Sequence, residues 1–354
     1  MDIDQLRELN MEIKQNISLK NRNTFGIDIY ADRLVEYYSI EELQDFIRCR
    51  VADGDKSPLM HIGGGSNLLF MNDFHGTVLH SCIQGINVTA DEGDNVYVRV
   101  GAGVSWDDWV QYAIDSSWFG LENLSAIPGE VGASAIQNIG AYGSEAKDFI
   151  LYVDCVDLET GDIRHFCRAE CEYGYRDSIF KNVVAGRYAV THVHFQLSHS
   201  FRPNIEYGGI RKALEEQGVQ EWDLSPQVLR QTIIRLRQQK LPDPAVTGNA
   251  GSFFKNPVVS AAEWQKLLQE YPEAPHYDAA NGVKIPAAWL IEQCGWKGRS
   301  LGNAGVYENQ PLVLVNNGSA TGADIAALSK AIQDDVKKRF GISLETEVNF
   351  VCGE

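Results

Sequence analysis

The sequence predicts a multi-domain fold of mixed helix and strand, and three observations carry that expectation. The chain has 354 residues, more than one ordinary core serves at about 150 residues per domain. Apolar residues make up 44%, a globular value that allows a large buried core. Helix signals and alternating strand pairs then follow one another along the chain, without an internal repeat or a low-complexity linker. Changes of element place the domain boundaries near 200 and 245.

Composition also excludes several functions. A net charge of −17 argues against a nucleic-acid surface, which needs clustered Lys and Arg to neutralise phosphates. An anionic substrate would have to be met by local basic residues. No apolar run approaches the roughly 18 residues of a membrane span, and Met1-Asp2-Ile3-Asp4-Gln5-Leu6-Arg7 has neither the basic nor the apolar region of a signal peptide. A cytoplasmic protein without membrane insertion is expected. The seven cysteines, at 49, 82, 155, 167, 171, 294 and 352, form no Cys-x-x-Cys and no Cys/His ligand spacing, so they are read as reduced, mostly buried thiols and no metal is expected.

In chain order, Ser39-Ile40-Glu41-Glu42 has the form of a capping box, and Leu43, Phe46, Ile47 and Val51 share the face of a helix over about 40–53. Pro58 to Ile62 reads as a buried strand entering Gly63-Gly64-Gly65-Ser66-Asn67, with His61 as a packed strand residue. Alternation predicts hairpins over 86–101 and 149–166. Between them Ser105 starts a helix with Trp109, Tyr112 and Ala113 inward. Ser225-Pro226 is an N-cap followed by proline at the first helical position, opening a helix whose inward face is Val228, Leu229, Ile233 and Leu236 and whose later turns carry Arg230, Arg235, Arg237 and Lys240. Three more helices are read over 260–271, 286–294 and 321–340. The chain closes on an alternating strand, Leu344 to Val351, whose polar side offers Glu345, Glu347 and Asn349.

Four stretches carry chemistry. Three consecutive glycines at 63–65 remove every Cβ, so backbone N–H groups can converge on an oxyanion while Ser66 and Asn67 add side-chain donors; a plain tight turn is the alternative. Ile127 to Gly143 is dense in small residues and almost uncharged, suited either to a flat ring lying on backbone or to close packing of elements. In Tyr173 to Lys181, Arg176 stands among aromatics beside Asp177, as a rigid fork for a carboxylate or enolate or as half of a structural ion pair. Gly248 to Pro257 combines glycine backbone, the Ser252 hydroxyl, the Lys255 charge and the Phe253-Phe254 pair, the composition either of a reaction pocket or of a glycine-rich loop whose phenylalanine pair plugs the core.

Together with Leu344-Glu345-Thr346-Glu347-Val348, these stretches resemble the UDP-N-acetylenolpyruvoylglucosamine reductase family, flavoenzymes also called UDP-N-acetylmuramate dehydrogenases, in the class with a tyrosine-bearing lid. The matches run in family order from about 18 to 351. The resemblance implies an α+β fold: a two-part FAD-binding domain of the vanillyl-alcohol-oxidase-like (PCMH) type over 1–200, divided near 80, a lid and connecting helix over 201–245, and a separate α/β substrate-binding domain over 246–354.

It also implies roles. Gly63, Gly64, Gly65, Ser66 and Asn67 would hold the FAD diphosphate, and Ile127, Pro128, Gly129, Gly132, Ala133, Gln137, Asn138, Gly140, Ala141 and Tyr142 would line the flavin. NADPH would reduce FAD, and the enolpyruvyl UDP-sugar would then be reduced to UDP-N-acetylmuramate for peptidoglycan synthesis, cell-wall growth and division. Ser252 matches the proton donor, and Arg176 and Glu347 match the pair that binds and polarises the carboxylate. Tyr207, Lys240 and Asn256 match substrate positions, with Gln310, Lys255 and Tyr142 joining them. Tyr207-Gly208-Gly209 resembles the lid. Asn349 stands where many relatives have arginine. A monomer is expected. Another FAD-dependent oxidase of the superfamily, or a nucleotide-binding module without catalysis, are the competing readings.

Overall fold

The computed structural model describes residues 11–207, 209–279 and 281–353; Gly208 and the Met1–Asn10 segment considered above lie outside the described residues. The chain forms two compact units, and both are discontinuous. The first takes residues up to Ile17, Ala31–Gly64 and His75–Arg237; the second takes Ser18–Tyr30, Gly65–Phe74 and everything from Gln238.

In the first unit a four-stranded sheet runs in the order Glu12–Ser18, Tyr30–Tyr37, Phe74–Ser81, Leu59–Ile62, and its last two strands are parallel. Helix Ile40–Ala52 begins where the Ser39 hydroxyl accepts from the Glu42 N–H at 3.1 Å. The Glu42 carboxylate turns back to the Tyr38 N–H, one residue short of the reciprocal box read from sequence. Leu43, Phe46 and Ile47 pack against Val35, Tyr37 and Leu79. Val51, in the last turn, is exposed instead.

Five antiparallel strands build the second sheet, in the order Ile163–Cys167, Ile150–Asp157, Tyr188–Ser198, Asn95–Gly101, Ile86–Glu92. Both expected hairpins are present and supply its two edges. The central strand, Tyr188–Ser198, has no hairpin partner in sequence and joins them through non-local pairing. Its Val190, Val193 and Phe195 bury with Val96, Val98 and Val100 under helix Trp106–Asp115. Trp109 and Ala113 point inward as expected, whereas Tyr112 is exposed. Trp106 takes the interior position and donates its indole N–H to the Leu124 carbonyl at 2.8 Å.

The second unit holds a four-stranded antiparallel sheet in the order Gly248–Ser252, Val313–Asn316, Ala304–Val306, Ser300–Leu301. The predicted helices appear as Ala261–Glu270, Ala287–Gln293 and Gly322–Phe340. Ser260 and Thr321 each complete a reciprocal capping box, worth about 1 kcal/mol per cap. Gly341, at φ +70°, ends the last helix in the left-handed conformation glycine adopts without penalty. The expected closing strand is cut to Asn349–Val351, which pairs in parallel with Leu68–Phe70. Alternation alone could not place this limit, because Leu344 to Val348 meets its neighbours through single backbone bonds rather than a ladder.

None of the cysteines forms a disulfide, and they are less buried than expected: Cys155 and Cys171 are buried, Cys49, Cys82 and Cys294 half-buried, Cys167 and Cys352 exposed. No helix among the described residues is long and apolar enough to cross a membrane.

Two histidines make stability depend on acid. His61 Nε2 and the Tyr37 hydroxyl are hydrogen-bonded at 2.7 Å, and burial, aided by the charge of His80, pushes the His61 pKa down to about 4. Burial and the neighbouring Arg99 push His192 down to about 4 as well. In the unfolded chain each binds its proton near pH 6.5, so between pH 6.5 and 4 the unfolded state holds more protons and stability falls as pH falls. Asp154, held below the usual carboxylate range by His194, His165 and Arg99 against its burial, adds its loss only below about pH 4. The urea midpoint is therefore expected to drop from pH 7 to pH 5, and His61→Asn, which keeps a partner for Tyr37, to flatten that drop. Identical pH slopes in variant and parent would refute the assignment.

Candidate active site

In the first unit, strand Leu59–Ile62 delivers Gly63 and Gly64 onto the segment that opens helix Val131–Gln137. A Cβ at Gly63 would lie 3.2 Å from the Ala133 Cβ, and one at Gly64 3.4 Å from the Gly129 Cα. Bare backbone is what lets the two segments meet. The segment itself is knit to the turn after strand Asn95–Gly101: Val131 N–H donates to Val104 and Gly132 N–H to Ala102, each at 2.9 Å. A Cβ at Gly132 would stand 2.8 Å from the Ala102 Cβ. The small residues of Ile127 to Gly143 thus serve close packing, and the same closeness leaves Ile127, Pro128 and Gly129 at the surface of a backbone cradle.

Asn138 follows the helix in the left-handed conformation, φ +45°. It is fully buried, donates to Gly174 at 2.7 Å and accepts from the Lys147 N–H at 3.1 Å, so it shapes the cradle through the backbone it holds. Gln137 accepts from the Lys181 ammonium at 3.1 Å. Arg176, itself at φ +55°, donates to the carbonyls of Asn138 and Gly140 and lies 5.5 Å over the Tyr175 ring. These carbonyls orient the planar guanidinium. The carboxylate of Asp177 accepts instead from Ser178 N–H and the Asn182 amide.

Helix Pro226–Lys240 sorts the basic residues read from sequence. Arg230 is buried and bidentate to Asp107 at 2.6 and 2.9 Å. Arg237, seven residues on, donates to the Ala126 carbonyl at 3.1 Å; burial pulls its pKa down while Tyr142 and Asp107 oppose that and Arg176 adds to it. Arg235 and Lys240 are exposed. From sequence Arg237 is one of four basic residues on this helix, and its i+7 spacing from Arg230 puts those two on one face. Tyr142 is half-buried, with its pKa raised by burial. Tyr207 is 46% exposed and lies against Gly143, whose Cβ would meet its own at 3.1 Å.

In the second unit Gly65, at φ +64°, packs on backbone of Arg22, and Asn67 donates to the Glu347 carbonyl at 3.1 Å. Ser252 ends strand Gly248–Ser252 at an irregularity: pairing is lost after Asn249 and regained at Ser252 opposite Val313. Gly251, at φ +67°, and the Asn249 side chain, which accepts from the Gly251 N–H at 2.9 Å, shape that bulge. Phe253 and Phe254 are buried anchors. Glu347 N–H donates to the Phe253 carbonyl at 2.8 Å, so the serine and the glutamate stand on joined backbone. Gln310 precedes Val313 and accepts from Leu312 N–H at 3.3 Å. Asn256 accepts from Ala287 N–H at 2.9 Å, and Lys255 is half-buried.

Known families match both parts of the chain. Residues 31–166 match the family described as FAD binding domain, and residues 243–351 match UDP-N-acetylenolpyruvoylglucosamine reductase, C-terminal domain. A Bacteroides fragilis UDP-N-acetylenolpyruvoylglucosamine reductase is 50% identical over 341 residues, covering 96% of this chain and 100% of its own. The chain belongs to the UDP-N-acetylenolpyruvoylglucosamine reductase family. A Porphyromonas gingivalis member is 45% identical with 96% and 100% coverage. The crystal structure of the Thermus caldophilus reductase superposes with a TM-score of 0.66 at 24% identity, over 96% of this chain and 99% of that one, and shares the fold. As a member of the reductase family with an FAD-binding domain, the chain is an FAD-dependent oxidoreductase of the α+β class.

The glycines yield a paired test. A Cβ at Gly140 would lie 2.7 Å from Arg176 Nη1 and 2.9 Å from the Ser144 carbonyl oxygen, a mild overlap with backbone beside a direct push on the guanidinium. One at Gly65 would lie 2.0 Å from the Arg22 carbonyl oxygen, on fixed backbone and at a φ that costs a non-glycine residue about 1–3 kcal/mol before any clash. Gly140→Ala is expected to destabilise by about 1–2 kcal/mol while cutting turnover at least about tenfold. Gly65→Ala should destabilise by more than about 2 kcal/mol. Urea melts and steady-state rates on both variants check the contrast.

Proposed function

We propose that this chain reduces UDP-N-acetylglucosamine enolpyruvate to UDP-N-acetylmuramate, a peptidoglycan precursor, as a cytoplasmic monomer with NADPH as reductant. The observation that carries the reading is Ser252, held on a bulge whose next residue is bonded to the backbone of Glu347, inside the part of the chain that matches the reductase family. NADPH loses a hydride, the vinyl group of the substrate gains a hydride and a proton, and NADP⁺ leaves.

Bound FAD supplies the two-electron relay between NADPH and substrate. The chain fits it: Gly63 and Gly64 present backbone that a Cβ would fill, and these residues with Gly65, Ser66, Asn67 and the segment from Ile127 to Tyr142 are the proposed holders. Every other task falls to side chains. When hydride reaches the outer alkene carbon, negative charge develops on the carbon beside the carboxylate and must be stabilised before it is protonated. Arg176 offers a planar fork oriented by the carbonyls of Asn138 and Gly140, and Glu347 polarises the same group. Ser252 gives its proton to that carbon. A hydroxyl is a weak acid, so Lys255 and Lys240 are assigned to lower the cost of the transient alkoxide. Tyr207, Asn256, Gln310 and Tyr142 are assigned to the sugar nucleotide; with its carbonyl used by Ala287, Asn256 has amide donors to offer.

Ser252→Ala is expected to leave reduction of the yellow enzyme by NADPH within about twofold, and to slow reoxidation by the enolpyruvyl substrate by about 10²–10⁴-fold, the usual worth of general-acid catalysis. Stopped-flow traces showing equal losses in both half-reactions would remove the proton-donor role. Arg176→Lys should lose at least about tenfold in kcat/KM, since an ammonium cannot reproduce the planar fork.

A further inference from the structure

A cluster that no cysteine spacing announces lies in the four-stranded sheet of the first unit. Glu36 stands on strand Tyr30–Tyr37, His80 on the neighbouring strand Phe74–Ser81, and Cys82 just beyond it, its N–H bonded to the Tyr37 carbonyl at 2.7 Å. Two residues apart on extended chain, His80 and Cys82 point to one face, while Tyr37 and Leu79 go to the apolar core on the other. The Glu36 carboxylate, the His80 imidazole and the Cys82 thiol each bring one ligand atom within 4.8 Å of the others.

The separations are informative. His80 Nδ1 is 3.2 Å from Glu36 Oε1 and 3.6 Å from Cys82 Sγ, and Sγ is 3.9 Å from the same Oε1. Bonds of about 2.0–2.3 Å arranged tetrahedrally separate an N, an O and an S ligand by about 3.3–3.6 Å. The triangle is already within a few tenths of an ångström of that shape.

Its surroundings are those of a metal ligand set as well. Glu130 Oε1 accepts from His80 Nε2 at 2.9 Å, the carboxylate–histidine arrangement that keeps the proton on one ring nitrogen and turns the lone pair of the other to a metal. Lys14 donates to the second oxygen of Glu36 at 2.8 Å, while Oε1 is the oxygen that faces His80 Nδ1 and Cys82 Sγ. His80 and Glu36 are both buried, at 7% and 5% exposure, where they are preorganised, and half-buried Cys82 gives access.

We propose that Glu36, His80 and Cys82 form a zinc site with a fourth position for water. Mixed N, O and S donors at these distances suit Zn²⁺ and disfavour Mg²⁺ or Ca²⁺, which require oxygen shells. Thiolate and carboxylate together balance the charge of the ion, with neutral imidazole as third ligand. Through His80 the metal braces Glu130, the residue before helix Val131–Gln137, whose carboxylate lies 3.2 Å from where a Gly63 Cβ would be. The site is therefore structural, set behind the glycine turn rather than in the reaction itself.

The test uses the whole untagged flavoprotein, freed of metal by a chelator and titrated with Co²⁺ and then Zn²⁺. One equivalent of Co²⁺ is expected to bring a thiolate charge-transfer band into the near-ultraviolet difference spectrum, and equimolar Zn²⁺ to abolish it. Cys82→Ser should remove the band and weaken Zn²⁺ binding at least tenfold, as should His80→Gln, which keeps the thiol and guards against a folding defect in the first variant. Cys294→Ser, at another half-buried thiol, should change neither. Absence of saturable uptake in the parent, or uptake unaltered in both Cys82→Ser and His80→Gln, overturns the site. Flavin content and NADPH oxidation read on the same samples separate that outcome from failure of the reductase reading.

Discussion

Backbone lying directly on backbone is the constraint on which this protein depends. A Cβ at Gly248 would fall 2.2 Å from the Phe25 carbonyl oxygen, one at Gly322 2.0 Å from that of Phe70, and one at Gly353 1.8 Å from that of Asp73. These distances lie far inside van der Waals contact, so the segments that meet there can meet only as glycine. In the second unit this closeness ties Ser18–Tyr30 and Gly65–Phe74 to the C-terminal chain, although hundreds of residues separate them in sequence. In the first it seats the Gly63–Gly64 turn on the start of a helix. Both candidate ligand-binding stretches are rich in glycine for the same steric reason that holds each unit together.

Electrostatics is organised with similar economy. The chain is strongly acidic, yet Arg176, Arg230 and Arg237 gather near the small-residue segment. Arg230 is matched by a bidentate carboxylate, which offsets much of the cost of removing its charge from water. Arg237 and Arg176 donate to carbonyl oxygens, which orient a guanidinium.

Ser252 shows how local chemistry and distant pairing combine. Gly251 and Asn249 build its bulge within a few residues, and the two phenylalanines after it bury because the strand leaves nowhere else for them. Glu347, proposed to act with it, arrives from almost a hundred residues away, by one hydrogen bond to Phe253.

The sequence alone determined the elements whose signals are local. Serine and threonine caps marked helix starts, turn residues between alternating strands marked both hairpins, and the glycine stretches, in order, marked a flavin-dependent reductase. Tertiary structure decided what depends on pairing across the chain. Tyr188–Ser198 became the centre of its sheet because two hairpins needed a strand between them, the closing strand shortened to the residues that find Leu68–Phe70, and Glu36 came to stand beside His80 and Cys82 through strand register. Caps, turns and periodicity act over a few residues and are written in sequence, whereas the partner of a strand edge or of a buried charge is chosen by the whole fold.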